Sequence, residues 1–423
     1  MSILLGCIAD DFTGATDLAG MLVHAGMRTI QIIGVPDAAP PRDVDAVVIA
    51  LKSRTAPVRQ AIDDSLAALR FLRDAGCRQI YFKYCSTFDS TDKGNIGPVA
   101  DALMNALGTQ FTIACPAFPD NGRTLFKGHL FVGDTLLGES GMRDHPLTPM
   151  TDSNLVRVLQ RQTKATVGLI PFSTVTLGAD AIRDRMRQLQ TRGTQIALVD
   201  AVSNNDLMHI GAACADLPLV TAGSGIALGL PQNFRARGLL PQQQASGDLP
   251  ATGGLRAILC GSCSQASRAQ LADLTARGTP AYAIDPLALA AGEDVAAAAL
   301  AWAAPRLSQG PVAIYATAPV DIVKAVQKML GAERAGTLVE QAMARIAREL
   351  VALGVRQLIV AGGETSGAVV TALGVRSLRI GRQIDPGVPW GVSLDNGPPL
   401  ALALKSGNFG DVDFFTRAWS LAP

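Results

Sequence analysis

The fold is decided by one stretch near the start of the chain, Ile3-Leu4-Leu5-Gly6-Cys7-Ile8-Ala9-Asp10-Asp11-Phe12-Thr13-Gly14. The run from Ile3 to Ala9 is uninterrupted and apolar, which is typical of a strand buried on both faces. Beyond it, apolar side chains recur at helical spacing, namely Leu18, Met21, Leu22 and Ala25. Gly26 is the residue type that often ends a helix. The stretch therefore predicts a strand, an acidic loop and a helix in succession.

Two adjacent carboxylates, Asp10 and Asp11, occupy the loop between that strand and that helix. In an open sheet of parallel strands, ligands bind in the crevice beyond the carboxyl ends of the strands. Burying two neighbouring charges is unfavourable unless they have partners or a role. Asp10 and Asp11 are therefore the candidate catalytic residues.

Further apolar runs of strand length alternate with helical stretches along the chain. Strands are predicted at 29–34, 46–51, 79–84, 112–115, 167–170, 196–200, 219–222, 255–260, 312–316, 357–361 and 400–404. Such alternation implies right-handed βαβ units. We predict an α/β fold with two dissimilar three-layer α/β/α domains whose sheets are mostly parallel. The Gln-, Pro- and Gly-containing stretch 239–254 predicts a linker between an N-terminal domain, 1–238, and a C-terminal domain, 255–423.

Composition excludes several classes of protein. The chain has 423 residues, of which 48% are hydrophobic, and a formal net charge of +1, so it can form sizeable cores and lacks the basic surface of a general nucleic-acid binder. Seven cysteines, an odd number in a long chain, argue against a disulfide scaffold and for a reducing compartment. No apolar run reaches the length of about 18 residues expected of a membrane span. We expect a soluble, cytoplasmic protein that binds neither nucleic acid nor membranes.

In the first half, polar side chains follow several predicted strands. Besides the two aspartates, the candidate substrate-binding residues are Arg54, Lys83, Ser86, Asp89 and Arg123. An arginine can hold a carboxylate with two parallel hydrogen bonds, and an aspartate can accept a proton from a sugar hydroxyl or hold a metal. The alternative for Arg54 and Lys83 is an ion pair with neighbouring aspartates that stabilises the end of the sheet. Residues 116–154 interrupt the strand–helix alternation and predict an elaborated loop or small hairpin over this site.

In the second half, three predicted strands end in loops of glycine and hydroxyl residues: Gly261-Ser262, Gly362-Gly363-Glu364-Thr365-Ser366-Gly367 and Ser406-Gly407-Asn408. Backbone N–H groups at a helix start favour an anion, most often phosphate. The alternative is that each glycine only permits a tight turn. Neither a Walker A sequence nor a GxGxxG after the first strand is present, so the common nucleotide signatures are excluded. The pair Cys260 and Cys263 has CxxC spacing, but no second pair completes a zinc site.

Several unusual strings, in order along nearly the whole chain, resemble the four-carbon acid sugar kinase family, and within it the 3-oxo-tetronate kinase branch. They are Ile8-Ala9-Asp10-Asp11-Phe12-Thr13-Gly14-Ala15, Tyr81-Phe82-Lys83-Tyr84-Cys85-Ser86-Thr87-Phe88-Asp89-Ser90-Thr91, Gly94-Asn95-Ile96-Gly97-Pro98, Gly261-Ser262-Cys263-Ser264-Gln265, Ala361-Gly362-Gly363-Glu364-Thr365-Ser366-Gly367, Pro386-Gly387-Val388-Pro389-Trp390 and Lys405-Ser406-Gly407-Asn408-Phe409-Gly410.

The resemblance implies transfer of the γ-phosphoryl group of ATP, with Mg²⁺, to the terminal C4 hydroxyl of a four-carbon sugar acid. It implies that the N-terminal domain holds the acid and the C-terminal domain the nucleotide, with the active site in a cleft between them. The family's nucleotide contacts fall on Ser262, Gly362, Gly363, Glu364, Thr365 and Gly407. The acid-sugar site falls on Asp10, Asp11, Arg54 and Lys83.

The expected mechanism has Arg54 and Lys83 hold the substrate carboxylate while Asp10 or Asp11 accepts the hydroxyl proton. 3-Oxo-tetronate is the expected substrate, and D-threonate or D-erythronate is the alternative. A non-catalytic sugar-acid or nucleotide-binding protein would keep the glycine loops without needing the adjacent carboxylates. The missing GxGxxG disfavours a third alternative, an NAD-dependent dehydrogenase. A homodimer is the predicted assembly.

Overall fold

The computed structural model describes residues 3–36, 40–41, 43–145, 147–242, 246–317, 328–395 and 397–423. The chain divides into two compact units, Met1–Gly247 and Asp248–Pro423. The division falls inside the stretch 239–254. Gln243 and Gln244 of that stretch lie outside the described residues, and so does Pro146 of the irregular segment 116–154. In the described part of the chain, no helix combines the length and the apolar character needed to cross a membrane.

The first unit contains strands β1 to β11 and helices α1 to α8. The strands are β1 Leu5–Ala9, β2 Thr29–Ile33, β3 Ala46–Ala50, β4 Gln79–Lys83, β5 Thr112–Cys115, β6 Arg123–Phe126, β7 His129–Val132, β8 Thr135–Leu136, β9 Val167–Ile170, β10 Ile196–Val199 and β11 Leu219–Ala222. The helices are α1 Phe12–His24, α2 Val58–Asp74, α3 Ile96–Leu107, α4 Leu155–Gln162, α5 Phe172–Val175, α6 Ala179–Thr191, α7 Asn204–Ala213 and α8 Pro231–Ala236. Short 3-10 helices span Pro119–Asn121, Leu137–Glu139 and Gly225–Leu228.

The predicted strand, acidic loop and helix are confirmed at the start of this unit. Every residue of β1 is buried, because its neighbours β3 and β4 pair with it on both sides in parallel. Helix α1 begins after Asp11, whose side chain accepts the N–H of Gly14 at 2.9 Å and so caps the helix. It ends before Gly26, whose φ of +90° favours glycine.

Parallel strands of the first unit run in the order β2-β3-β1-β4-β11-β5-β10-β9. Helices cover the sheet in two groups, one formed by α1 and α5–α8 and the other by α2–α4. This is the predicted three-layer α/β/α arrangement. The loops after β1, β3 and β4 consequently lie at one edge of the sheet, because the carboxyl ends of parallel strands share an edge.

The irregular segment forms a second, antiparallel sheet, β6-β7-β8. Its β6–β7 turn is held by Asp200 at the end of β10, whose carboxylate accepts the N–H groups of Lys127 at 2.7 Å and Gly128 at 2.8 Å. The prediction of a small hairpin is therefore confirmed, and β6 begins at Arg123.

The second unit contains strands β12 to β18 and helices α9 to α14. The strands are β12 Leu255–Cys260, β13 Ala281–Ala283, β14 Val312–Tyr315, β15 Val355–Ala361, β16 Ser377–Asp385, β17 Val388–Ser393 and β18 Ala401–Lys405. The helices are α9 Gln265–Ala276, α10 Pro286–Ala290, α11 Val295–Ala303, α12 Ala332–Ala352, α13 Gly363–Ala372 and α14 Phe414–Arg417, and a 3-10 helix spans Ala418–Leu421.

The sheet of the second unit runs in the order β13-β14-β12-β15-β18-β17-β16 and is mixed. The first five strands are parallel, whereas β17 is antiparallel to both β18 and β16. Helices α10–α13 form one layer, and α9 and α14 form the other. The hairpin of β16 and β17 was not predicted from the sequence, although its turn at Pro386-Gly387 is a typical turn pair.

Candidate active site

Arg54 is the centre of a cluster of carboxylates at the sheet edge of the first unit. Its Nε and Nη2 donate to the two oxygens of Asp10 at 2.9 and 2.8 Å, so that pair is bidentate. Nη2 also lies 2.9 Å from Asp11 Oδ1, and Nη1 lies 3.7 Å from Asp89 Oδ2. The ion-pair alternative for Arg54 is thus the one observed, and its contact with a substrate stays a prediction.

The polypeptide around Arg54 is fixed by backbone contacts. The N–H groups of Ser53 and Arg54 both donate to the carbonyl oxygen of Asp10, at 3.0 and 3.1 Å. Asn95, just before α3, donates from Nδ2 to the carbonyl oxygens of Ser53 at 2.8 Å and Ala56 at 2.9 Å. The arginine is therefore presented by a loop with little freedom to move away from the aspartates.

The two adjacent aspartates differ in exposure and in pKa. The side chain of Asp10 is 7% exposed and that of Asp11 25% exposed. Burial raises the pKa of Asp10 above its ordinary value, against the opposing charge of Arg54. Burial acts on Asp11 in the same direction, but the charges of Arg54 and Lys83 outweigh it and lower the pKa of Asp11. Asp11 is therefore the carboxylate that remains ionised most readily.

Lys83 reaches the first turn of α1. It ends β4, and a Cβ atom placed on Gly14 would lie only 2.7 Å from its Nζ. The same Cβ would overlap Asp11 Oδ1, so the absence of a side chain at Gly14 leaves room for both the ammonium and this carboxylate. Ser86 and Asp89 follow in the loop after β4 and are buried. Asp89 has φ +40° and accepts the hydroxyl of Thr87 at 2.6 Å.

A further carboxylate, Asp17, was missed by the sequence analysis. It lies one turn along α1, is buried, and accepts a hydrogen bond from the hydroxyl of Ser224 on Oδ2. Burial raises the pKa of Asp17 to about 6, against the opposing charge of Lys83. The sequence gives little indication that Asp17 belongs to the site. Its partner Ser224 is distant in the chain, so nothing near Asp17 in the sequence explains a polar residue on the apolar face of the helix.

Arg123 joins this cluster electrostatically. It is largely buried, and its guanidinium interacts with the charges of Asp89 and Asp17. Two buried polar atoms, Arg123 Nε and Asp17 Oδ1, have no hydrogen-bond partner among the described residues. Buried polar atoms are rarely left unpaired, so this donor and this acceptor mark a place where a bound polar molecule would be stabilised once side chains shift to admit it.

In the second unit, the three glycine loops meet at one edge of the sheet. They follow β12, β15 and β18, which are adjacent parallel strands. The Gly362 N–H donates to the Lys405 carbonyl at 2.8 Å, and the Ser264 hydroxyl donates to the Gly407 carbonyl at 2.6 Å. A Cβ atom on Gly407 would collide with the Ser262 hydroxyl oxygen. The predicted nucleotide residues therefore lie close together.

The loop after β15 leads into α13, whose first turn carries three of the predicted nucleotide residues, with a fourth immediately before it. Gly362 has φ +121°, a conformation that favours glycine, and precedes the helix. Gly363 and Glu364 are exposed in the first turn, whereas Thr365 is buried with its hydroxyl beside Gly261 and Gly362. An anion could approach the exposed start of this helix, where the helix dipole presents its positive end.

Models of two domain families match the chain. The sugar-binding N-terminal domain matches residues 5–230, and the nucleotide-binding C-terminal domain matches residues 257–415. The 3-oxo-tetronate kinases of Cupriavidus necator and Burkholderia multivorans are each 62% identical to the chain, covering 98% of it and 96% of their own lengths. This chain belongs to the four-carbon acid sugar kinase family. A solved structure from Salmonella typhimurium LT2 matches the kinase with a TM-score of 0.88 at 44% identity, covering 99% of both chains.

The side chains of the kinase offer few places for a metal ion in the described part of the chain. Within the described ranges, no group of three or more His, Cys, Asp and Glu residues is placed to hold a metal ion. Three aspartates lie near one another in the first unit, but Arg54 contacts all of them. Mg²⁺ is usually held by nucleotide phosphates, waters and one or two carboxylates. In the part of the chain that the structure describes, these side chains do not form a separate cage for Mg²⁺.

Lys405 is a buried cation of the kinase and the first residue of the last motif string. It ends β18 and has no exposed surface. Its Nζ donates to backbone carbonyls of the loop that contains Gly407, at 3.0 Å for Ser406 and Gly407 and 3.1 Å for Phe409. Burial lowers the pKa of Lys405 to about 8.

Proposed function

We propose that the kinase transfers the γ-phosphoryl group of ATP to the C4 hydroxyl of 3-oxo-tetronate, giving 3-oxo-tetronate 4-phosphate and ADP. The observation that carries the proposal is the cluster of Asp10 and Asp11 with Arg54, Lys83 and Arg123, within the domain matched as sugar-binding. A sugar acid needs cations for its carboxylate and an acceptor for its reacting hydroxyl. The curated relatives named 3-oxo-tetronate kinase support this choice of acid.

Asp11 is the better placed of the two aspartates to accept the C4 hydroxyl proton. Both oxygens of Asp10 are taken by the fork of Arg54. Asp11 is more exposed, and among the described residues its Oδ2 accepts a hydrogen bond from the hydroxyl of Thr13 alone, at 3.2 Å. We therefore assign hydroxyl orientation and proton acceptance to Asp11, and the positioning of Arg54 to Asp10. In phosphoryl transfer such alignment matters more than covalent chemistry.

The substrate carboxylate fits Lys83 and Arg123 best. Arg54 has already formed its bidentate contact with Asp10, whereas Arg123 has a buried Nε without a hydrogen-bond partner in the described part of the chain. Lys83 lies beside the same helix turn as Asp11. Ser86 and Asp89, in the loop that follows Lys83, complete the proposed substrate-binding set.

ATP is assigned to the second unit through Ser262, Gly362, Gly363, Glu364, Thr365 and Gly407. These residues lie on converging loops at one sheet edge, and the helix start at Gly363 suits a phosphate. Mg²⁺ bound to the phosphates would neutralise charge that develops during transfer. A cytoplasmic location and a homodimer stay predictions, the second of which sedimentation would decide.

The function is tested by measuring ADP release from ATP and Mg²⁺ with three four-carbon acids. We expect kcat/KM for 3-oxo-tetronate to exceed that for D-threonate and D-erythronate by about tenfold or more, since the relatives at 62% identity are named for this acid. Phosphorus NMR of the product should place the phosphate on C4. ADP release with none of the acids, together with saturable binding of one of them, would favour the non-catalytic binding protein.

Gly363→Val should raise the KM for ATP by about tenfold, because a branched side chain at the exposed start of α13 obstructs the approach of the phosphates. The KM for the acid should change little. Gly336→Val is the matched control, because Gly336 is an exposed glycine of α12 in the same unit, with only Glu340 near it. An unchanged KM for ATP in Gly363→Val would remove this helix start from the nucleotide site.

A further inference from the structure

Lys405 is a buried charge that the proposed reaction does not use directly. Its Nζ reaches three carbonyl oxygens of the following loop and lies 3.3 Å from the hydroxyl oxygen of Ser267 on α9. In the described part of the chain no carboxylate lies within ion-pair distance of this ammonium. A buried cation without a counter-ion is unfavourable for stability, so stability alone does not explain a lysine here.

Helix α9 holds the same loop from its other side. The hydroxyls of Ser264 and Ser267 both donate to the carbonyl oxygen of Gly407, at 2.6 and 3.0 Å. Nε2 of Gln270 donates to the carbonyl oxygens of Phe409 at 3.0 Å and Gly410 at 2.8 Å. The carbonyl groups of this loop thus accept hydrogen bonds from side chains on one side of it. Among these donor side chains, Lys405 is the charged one.

The orientation of the carbonyls fixes the orientation of the neighbouring N–H groups. In a trans peptide, the carbonyl of one residue and the N–H of the next point in opposite directions, and the described residues contain no cis peptide. Carbonyls of residues 406, 407 and 409 that face Lys405 therefore turn the N–H groups of Gly407, Asn408 and Gly410 away from it. Among the described residues these three N–H groups have no acceptor.

We propose that Lys405 is a positioning residue for the nucleotide: its ammonium holds the loop carbonyls inward, so that the N–H groups of Gly407, Asn408 and Gly410 face the phosphates of ATP. Successive N–H groups directed to one side form an anion site. The ammonium beneath them adds a positive charge that a neutral donor would not supply. This inference rests on the proposed binding of ATP to the second unit.

The surroundings of Lys405 leave that charge available to an anion. Asp385 is the carboxylate whose charge acts on the ammonium of Lys405. Its oxygens accept hydrogen bonds from Arg417 and from the N–H of Asp411. The thiol of Cys260 is the other titratable group acting on it, and burial raises the pKa of that thiol, so it is neutral. The rings of Phe414 and Phe415 lie 5.9 and 6.0 Å from Nζ and exclude water.

The test replaces Lys405 with Met, which keeps the length of the side chain and removes the charge. Binding of a non-hydrolysable ATP analogue with Mg²⁺ is measured by calorimetry, and KM is measured for ATP and for 3-oxo-tetronate. We expect the dissociation constant of the analogue and the KM for ATP to rise by about tenfold or more, since charge-assisted hydrogen bonds hold the loop. The KM for the acid should stay within about twofold of the wild-type value.

Gln357→Met is the matched control, because Gln357 is also a buried polar residue on a parallel strand of the same sheet, but near the amino end of β15. Its Nε2 donates to the carbonyl of Pro423 at 2.9 Å, away from the glycine loops. Gln357→Met should lower thermal stability and leave the KM for ATP unchanged. If both variants weaken ATP binding in proportion to their loss of stability, Lys405 is only structural and the inference fails.

If Lys405→Met does not fold, Ser267→Ala decides the matter. Ser267 joins the ammonium to the Gly407 carbonyl, so its loss should raise the KM for ATP by about threefold. The inference is overturned if a folded Lys405→Met has an unchanged KM for ATP. If Lys405→Met is unfolded, an unchanged KM for ATP in Ser267→Ala overturns it. In either case, turnover by the wild type leaves the proposed function intact. A wild type that phosphorylates no acid would overturn the function, and analogue binding would still test the inference.

Discussion

Asp11→Asn should lower kcat by about two orders of magnitude or more, because the amide accepts no proton from the C4 hydroxyl. The substitution is conservative for the fold, since an Asn oxygen can still accept the Gly14 N–H that caps α1. The KM for ATP should change little. Initial rates at saturating ATP and acid measure the effect, and circular dichroism checks that the helix content is unchanged.

Asp45→Asn is the matched control for this variant. Asp45 forms a bidentate pair with Arg28 before the amino ends of β2 and β3, at the opposite edge of the same sheet. It should lower stability with kcat held within about twofold of wild type. If Asp11→Asn turns over normally and Asp10→Asn does not, the acceptor role passes to Asp10. Near-normal turnover in both would remove the aspartates from proton transfer.

Local sequence was sufficient for the first helix and for the described parallel strands other than β13, Ala281–Ala283, which was not predicted. Runs such as Ile3 to Ala9 are apolar throughout, and a strand with parallel neighbours on both sides has no polar face to interrupt the run. Glycine at position 26 then marks the helix end through its positive φ. These signals lie within a few residues of the structure they specify.

The antiparallel hairpin of β16 and β17 could not be predicted with the same ease. Its strands contain Arg379, Arg382, Gln383 and Pro389, so neither displays an uninterrupted apolar run. The position of β17 beside β18 is set by hydrogen bonding between separate segments of the chain. No local sequence pattern predicts such pairing. Pro386-Gly387 indicated a turn without indicating which strands it joins.

The sequence predicted which residues form the candidate site, and it offered an ion pair with a neighbouring aspartate as one alternative for Arg54. It did not predict which individual groups contact one another. Strand ends placed Asp10, Arg54 and Lys83 on one edge, and the structure brings them together. Which cation contacts which carboxylate depends on distances across three loops, so the sequence could not assign Arg54 to Asp10. Asp17 and Lys405 were given no role because both are charged residues in otherwise apolar elements, and their contacts with Ser224 and Ser267 come from distant segments.

Arg123→Met should raise the KM for 3-oxo-tetronate by about 100-fold, because two charge-assisted hydrogen bonds to the substrate carboxylate are lost. The apo protein loses the donation from Arg123 Nη1 to the Asn121 carbonyl and the attraction of the guanidinium to Asp89 and Asp17, so thermal unfolding of the variant is measured alongside its KM. With the carboxamide of the substrate, wild type and variant should have similar KM values, since the anion is absent. Arg28→Met, which removes the partner of Asp45, is the control and should leave both KM values unchanged. An equal rise in KM for acid and carboxamide would assign Arg123 to the shape of the site and exclude a carboxylate contact.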